Sequence, residues 1–285
     1  MTDVIIDTLI DAAKLLPFLF VTYLIMEYLE KKTGDSMNNA IKKSGHLGPL
    51  LGGIFGAFPQ CGFSAAAANL YAGHVITLGT LIAIFLSTSD EMLPILISEK
   101  VNAAVILKIL AMKAAIGVIC GFVIDLAAAF VHRQDRGMDI GKLCRREHCS
   151  CEEESGIIRP ALTHTLHIFI FVIIVTFAIN TAIHYVGENR LESLIITAPF
   201  AGEFIAGAVG LIPNCAASVI ITQLYLEGIL PLGAMMSGLL VSAGVGLLVL
   251  FRVNDAPKEN IKIMFILYLS GVICGCIMEL LKIQI

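Results

Sequence analysis

Charged side chains are scarce in this sequence. They make up 15% of its 285 residues, against about 25% in soluble domains, whereas 57% of the residues are hydrophobic. Several apolar runs approach or exceed the roughly 20 residues that a helix needs to cross about 30 Å of hydrocarbon. The alternating pattern of an outer-membrane barrel is missing. The sequence therefore predicts an all-α polytopic membrane protein, with the lipid bilayer as its surroundings.

Other absences exclude further classes of protein. No cationic stretch precedes the first apolar run, so we expect the first helix to be kept rather than cleaved as a signal peptide. The eight cysteines do not resemble a secreted disulfide framework and are expected to be reduced. No HExxH, GxSxG, P-loop or dinucleotide-binding motif is present, which argues against an enzyme, a nucleotide-driven pump or a cofactor other than a transported metal ion. With a net charge of −4 and basic residues gathered in loops, nucleic acid is not an expected partner.

One phrase occurs twice in the chain. PQCGFSAAAANLY begins at Pro59 and PNCAASVIITQLY begins at Pro213, 154 residues later. The same offset also aligns glycine, lysine and cysteine positions elsewhere, and chance matches among proline, cysteine and lysine are improbable. The sequence predicts an internal duplication, with a first repeat at 1–131, a linker at 132–154 and a second repeat at 155–285.

The second apolar piece of each repeat is unusual. The pieces at 46–72 and 200–226 are glycine-rich and are divided at Pro59 and Pro213. Each arm of about 13 residues covers roughly 20 Å as a helix, which is too short for a full crossing. Such arms are typical of broken or re-entrant helices, and counting them separately gives five segments per repeat. The alternative is that both prolines only kink helices and that the neighbouring cysteines pack as small hydrophobic side chains.

The distribution of lysine and arginine predicts the orientation. Basic residues cluster after the first helix, in the linker and near 252–262, whereas 98–102 and 185–197 contain only Lys100 and Arg190. The positive-inside rule places the three basic loops in the cytoplasm and both termini outside. The two repeats are then inverted. Inverted repeats with broken helices at matching positions are typical of secondary transporters with a binding site where the repeats meet.

The stretch STSDEMLP carries the clearest candidate for a binding site. A carboxylate at mid-helix costs roughly 2.5–3.5 kcal/mol on insertion, so Asp90 and Glu91 indicate a function, and the hydroxyls of Ser87 and Thr88 would add oxygen ligands. The alternative is that this end of the helix is wetter and that the acids are solvated. The second repeat has VSAGVG here, so a carboxylate site would be asymmetric.

The two proline-cysteine phrases carry thiols and amides. A helix N-terminus just after each cysteine would favour the thiolate. Thiolates combined with carboxylates and amides suit a borderline or soft divalent metal, or trivalent arsenic. Two further amides, two turns along, are either ligands or interhelical hydrogen-bond partners. The candidates are Gln60, Cys61, Asn214 and Cys215, with Asn69 and Gln223 further along and Glu203 as another intramembrane acid.

The linker reads CRREHCSCEEE and is rich in soft metal ligands. Three thiols and an imidazole lie within eight residues, and two histidines three residues apart follow on one predicted helix face. The spacing matches no zinc-finger pattern. This cluster either captures metal at the cytoplasmic entrance or is a solvated loop with incidental thiols. Its residues are Cys144, His148, Cys149, Cys151, His164 and His167.

Taken together, FPQCGFSAA, FLSTSDEMLPI, IPNCAAS, AGVGLLVLFR and the Cys/His linker resemble the ten-helix heavy-metal exporter family, which is related by name to arsenic permeases and is often labelled a manganese transporter. The likeness covers nearly the whole chain and implies metal efflux across a bacterial or archaeal inner membrane. A divalent transition metal is the expected substrate, Mn²⁺ before Fe²⁺ or Zn²⁺, with proton antiport as one way of coupling. Trivalent or organic arsenicals are the alternative substrates, and an intramembrane enzyme is the least favoured function. A homodimer remains open as the oligomeric state.

Overall fold

A computed structural model of the chain describes residues 47–57, 61–89, 92–131 and 202–282, together with individual helical residues within 16–24 and 158–181. Within these ranges the regular elements are helices and no strand occurs. Ten helices are bounded within them. In chain order they are α1 (Gly48–Gly56), α2 (Cys61–Ala72), α3 (Leu78–Ser87), α4 (Met92–Ser98), α5 (Ala103–Val131), α6 (Gly202–Gly210), α7 (Cys215–Leu226), α8 (Leu232–Val241), α9 (Val245–Val253) and α10 (Pro257–Leu280).

Within the described part of the chain, four stretches are long and apolar enough to cross a membrane. They are Leu78–Ser98, Ala103–Phe130, Leu232–Val253 and Pro257–Leu280. The first and third are largely buried inside the protein, whereas the second and fourth expose most of their surface, as expected of helices that face lipid. The prediction of an all-α polytopic membrane protein is confirmed.

The helices of the two halves match at the offset of the sequence repeat. α1, α2 and α3 correspond residue for residue to α6, α7 and α8, and α5 begins at the position equivalent to the start of α10. The turns after α2 and α7 are also equivalent. The His74 N–H donates to the Tyr71 carbonyl at 2.9 Å, and the Gly228 N–H donates to the Tyr225 carbonyl at 3.0 Å. Both turn residues are left-handed, with φ of 56° at His74 and 75° at Gly228. The similarity between the two halves therefore extends to the capping of individual helices.

Equivalent glycines hold the helices of each half together. A Cβ atom on Gly79 of α3 would lie 2.1 Å from the Gly121 carbonyl oxygen of α5, and one on Gly233 of α8 would lie 2.7 Å from the Gly275 oxygen of α10. No side chain fits at such distances, so these helices touch backbone to backbone. Small residues at helix crossings are the usual means of close packing in a bilayer, where apolar surface alone gives helices little reason to associate.

The third apolar piece of each half is divided, which the sequence analysis did not predict. α3 ends at Ser87 before α4 begins at Met92, and α8 ends at Val241 before α9 begins at Val245. In the second half the break contains Gly244, whose φ of 54° and ψ of −139° are accessible to glycine and strained for other residues. Both breaks lie inside a stretch long enough to span the membrane. Each half thus has a divided helix within a stretch long enough to span the membrane.

Contacts between the halves are reciprocal. α2 of the first half packs on α9 of the second, and α7 of the second half packs on α4 of the first. The Sγ atoms of the equivalent residues Cys120 and Cys274 lie 3.9 Å apart. A twofold rotation between the halves would produce contacts of this kind. It would pair each helix contact with an equivalent one and bring a residue on the axis next to its equivalent in the other half.

We expect Cys120 and Cys274 to form a disulfide when native membranes are oxidised with copper phenanthroline, because their sulfur atoms are already 3.9 Å apart. A protease site inserted at 132–154 would provide the measurement, since the cut halves would stay joined on a non-reducing gel.

Cys276→Ser, which changes a half-buried cysteine on the same helix as Cys274, is the matched control and should leave this cross-link intact. Cys274→Ser should remove it. Halves that separate after oxidation of the unaltered protein would contradict the close approach of Cys120 to Cys274.

Candidate metal-transport site

Both proline-cysteine phrases lie at the starts of helices, as the sequence predicted. α2 begins at Cys61 and α7 begins at Cys215, and Pro213 lies in the turn that separates α7 from the end of α6. Pro59, Gln60 and the side chains of both cysteines lie outside the part of the chain that the structure describes. The start of a helix carries roughly half a positive charge, which stabilises a thiolate formed there.

The helix that starts at Cys61 lies against the broken helix of the other half. A Cβ atom on Gly246, the second residue of α9, would lie 2.6 Å from the Ser64 Cβ atom of α2. At the other end of α2, the Tyr71 hydroxyl donates to the Glu259 carboxylate, beyond the end of α9, at 2.5 Å. The two helices therefore run in the same direction with their N-termini together. The position equivalent to Gly246 in the first half is Met92. This residue is the first of α4 and is fully buried.

Three buried hydroxyl residues line the break between α3 and α4. Ser87, Thr88 and Ser89 are at most 3% exposed, and their hydroxyls donate to backbone carbonyl oxygens at 2.7–3.0 Å. A hydroxyl that donates its proton in this way keeps its oxygen lone pairs, so it can still contribute to binding a cation. Asp90 and Glu91 follow directly and lie outside the described residues. The residues on either side of them, Ser89 and Met92, are each 1% exposed.

A buried lysine lies at the same place, and sequence reasoning missed it. Lys113 of α5 is 1% exposed, and its Nζ atom donates to the Thr88 carbonyl oxygen at 2.5 Å and to the Leu239 carbonyl oxygen at 2.8 Å. Thr88 belongs to the first half and Leu239 to the second, so this ammonium joins the two broken segments. The sequence does show Lys113 as a lysine inside an apolar run. A charged side chain in a membrane segment is costly and indicates a function, and this argument, which identified Asp90, applies equally to Lys113.

The family model described as "Putative, 10TM heavy-metal exporter" matches the chain over residues 1–140 and 138–251. The chain belongs to this family. Membership of this family identifies the protein as a metal transporter of the membrane, as the resemblance implied. It also points away from an enzyme. Neither a curated protein nor a solved structure matches the exporter.

Two equivalent amides of the exporter have different surroundings. Asn69 is fully buried, accepts a hydrogen bond from the Tyr23 hydroxyl at 2.7 Å and donates to the Ala65 carbonyl oxygen at 3.0 Å. Gln223, at the equivalent position of α7, is exposed. The Asn69 amide thus makes one hydrogen bond to another segment, at Tyr23, and one within its own helix, at Ala65. The structure does not bring Gln223 into a shared site with it.

Two further candidates lie at or near helix starts. Asn214 is 7% exposed and directly precedes α7, so it is beside the second proline-cysteine tip. Glu203 lies in the first turn of α6 and is partly buried, and its backbone carbonyl accepts a hydrogen bond from the Ser237 hydroxyl of α8 at 2.6 Å. Asn214 therefore belongs with the tip, whereas the described contact of Glu203 is structural.

The linker cluster of the exporter lies mostly outside the described residues. Of its members only His167 is described, and it is exposed. Among the residues that the structure describes, no three or more His, Cys, Asp and Glu side chains are grouped so as to hold a metal ion. The members outside those residues are Cys144, His148, Cys149, Cys151 and His164.

Proposed function

We propose that this protein exports a divalent transition-metal ion, Mn²⁺ in preference to Fe²⁺ or Zn²⁺, across the inner membrane of a bacterium or archaeon. The observation that carries the proposal is the break between α3 and α4. It lies within a membrane-spanning stretch, and buried residues flank the sequence positions of Asp90 and Glu91 on both sides. Broken helices at membrane depth are where secondary transporters bind their substrates.

The charges near the break favour a cation as substrate. The C-termini of α3 and α8 each carry about half a negative charge, and the Lys113 ammonium binds a carbonyl oxygen at each of them. In this proposal the carboxylates of Asp90 and Glu91 compensate the charge of the transported ion. A divalent ion leaving water needs such compensation, because an uncompensated charge is costly at low dielectric.

The helix starts suit the thiols rather than an anionic substrate. In this proposal Cys61 and Cys215, each at the N-terminus of its helix, bind the ion as thiolates, with Gln60 and Asn214 beside them. Thiolate ligands favour transition metals over calcium or magnesium. The linker lies on the cytoplasmic side, where its cysteines and histidines collect the ion before export, and proton antiport through the carboxylate oxygens drives the cycle.

We expect cells that lack the protein to stop growing at lower manganese concentrations than cells that have it. Loss of an exporter raises the metal inside the cell, so growth across a series of manganese, iron, zinc and arsenite concentrations is the measurement. Restoring the unaltered gene is the control. Strains that differ only with arsenicals would contradict the proposal and favour a trivalent arsenical as substrate, which needs the cysteines but not the two acids.

A further inference from the structure

We propose that the C-terminal ends of α3 and α8 together form a site for a monovalent cation, and that the Lys113 ammonium is its resident ion. The site is carried by contacts of the described residues and does not depend on the identity of the exported metal. The role of this site in transport rests on the proposed function. In that role, the permanently held ammonium takes the place of a free coupling ion at this point.

The two carbonyl groups that bind Lys113 are released by the helix breaks. Thr88 is the C-cap of α3, with an extended ψ of 131°, so its carbonyl has left the helical direction. Leu239 lies in the last turn of α8, and in a continuous helix its carbonyl would accept from residue 243. α8 ends at Val241, before that donor. Both carbonyls are among the last four of a helix, which lack donors within the helix.

The two helix C-termini attract a monovalent cation. Each helix C-terminus carries about half a negative charge, so two converging C-termini give roughly one. An ammonium provides one positive charge and three donors. At 1% exposure Lys113 is shielded from water, so these interactions are weakened little by solvent. Transporters with broken helices use such ends and unwound carbonyls to bind Na⁺ or H⁺.

The second half has an uncharged residue at the position equivalent to Lys113. The residue equivalent to Lys113 is Leu267 of α10, and it is fully buried. A leucine of similar bulk is therefore accommodated at this position of the fold. The lysine is consequently specific to the first half, where its Nζ atom reaches one carbonyl of each half.

The test is the thermal unfolding midpoint of the purified full-length protein in detergent, with chloride salts at constant ionic strength. Lys113→Ala should lower the midpoint, because it leaves two buried carbonyls without their donor. Ammonium or methylammonium should raise the midpoint of this variant with increasing concentration, as a bound ligand does. Tetramethylammonium, which has no N–H group, should not. Parallel samples in Na⁺ and K⁺ show whether metal ions also fit.

Two variants serve as controls. Lys108→Ala changes an exposed lysine of the same helix and should show no difference between ammonium and tetramethylammonium. Lys113→Leu copies the second half, fills the space and should also lose the ammonium response. If Lys113→Ala does not survive purification, recovery of folded protein in ammonium but not in tetramethylammonium gives the same answer.

Equal behaviour of Lys113→Ala in ammonium and tetramethylammonium would overturn the cation site. The unfolding midpoint requires no transport, so this outcome is separate from the fate of the proposed function. Cells that lack the protein but tolerate manganese normally would count against the export of manganese, even with a clear ammonium response in the purified variant.

Discussion

Replacing Asp90 by asparagine, or Glu91 by glutamine, is expected to abolish metal export while the protein remains folded. Each change removes one negative charge at nearly constant volume. At about 4 Å and an effective dielectric constant of about 20, one pair of unit charges is worth about 4 kcal/mol, and a divalent ion roughly doubles that. A loss of even 4 kcal/mol lowers affinity by about a thousandfold, since each 1.4 kcal/mol is about tenfold. Efflux of radiolabelled manganese from proteoliposomes measures the effect.

Matched controls for these variants lie outside the break. Asp255→Asn and Glu99→Gln make the same chemical changes at exposed positions, one after α9 and the other after α4. Both should transport normally. Normal transport by both Asp90→Asn and Glu91→Gln would show instead that the two acids are solvated and that the substrate binds elsewhere.

The repeat was the most informative feature of the sequence, because its physical causes are local. Proline lacks an N–H and restricts the residue before it, so Pro213 predicts a break wherever the chain is packed, and α7 begins two residues later. Glycines such as Gly79 and Gly233 recur at one offset because the same backbone contact is made twice. Patterns of this kind are readable without knowing which helices are neighbours.

The second pair of breaks depends on partners that are distant in sequence. Serine and threonine after α3 are compatible with a helix that continues, and what stabilises the released carbonyls is Lys113, 25 residues further on from Thr88. The pairing of Asn69 with Tyr23 across 46 residues is similar. Gln223 has the same place in the repeat and is exposed, so equivalent residues need not share an environment. Such contacts follow from tertiary packing, which one sequence does not display.

Gly246→Met, which gives the second half the residue found at the equivalent Met92, is expected to abolish export and to lower the unfolding midpoint. A Cβ atom on Gly246 would lie 2.6 Å from the Ser64 Cβ atom and 2.8 Å from its carbonyl carbon. α2 and α9 would have to separate, because part of the obstacle is backbone. Overpacking of this kind typically costs about 1–3 kcal/mol. The larger effect is on transport, since Cys61 is three residues from Ser64 and moves with it.

Gly202→Ala is the matched control, because among the described residues its new Cβ atom would meet only the Ala234 Cβ atom, at 3.6 Å, an ordinary contact. It should leave both efflux and the unfolding midpoint near those of the unaltered protein. Gly246→Ala should be impaired, and adding Ser64→Gly should restore it in part, because that change removes the Cβ and Oγ atoms but leaves the carbonyl carbon in place. Full export by Gly246→Met would mean that the N-termini of α2 and α9 can separate without disturbing the site, and Cys61 would then have no place among its ligands.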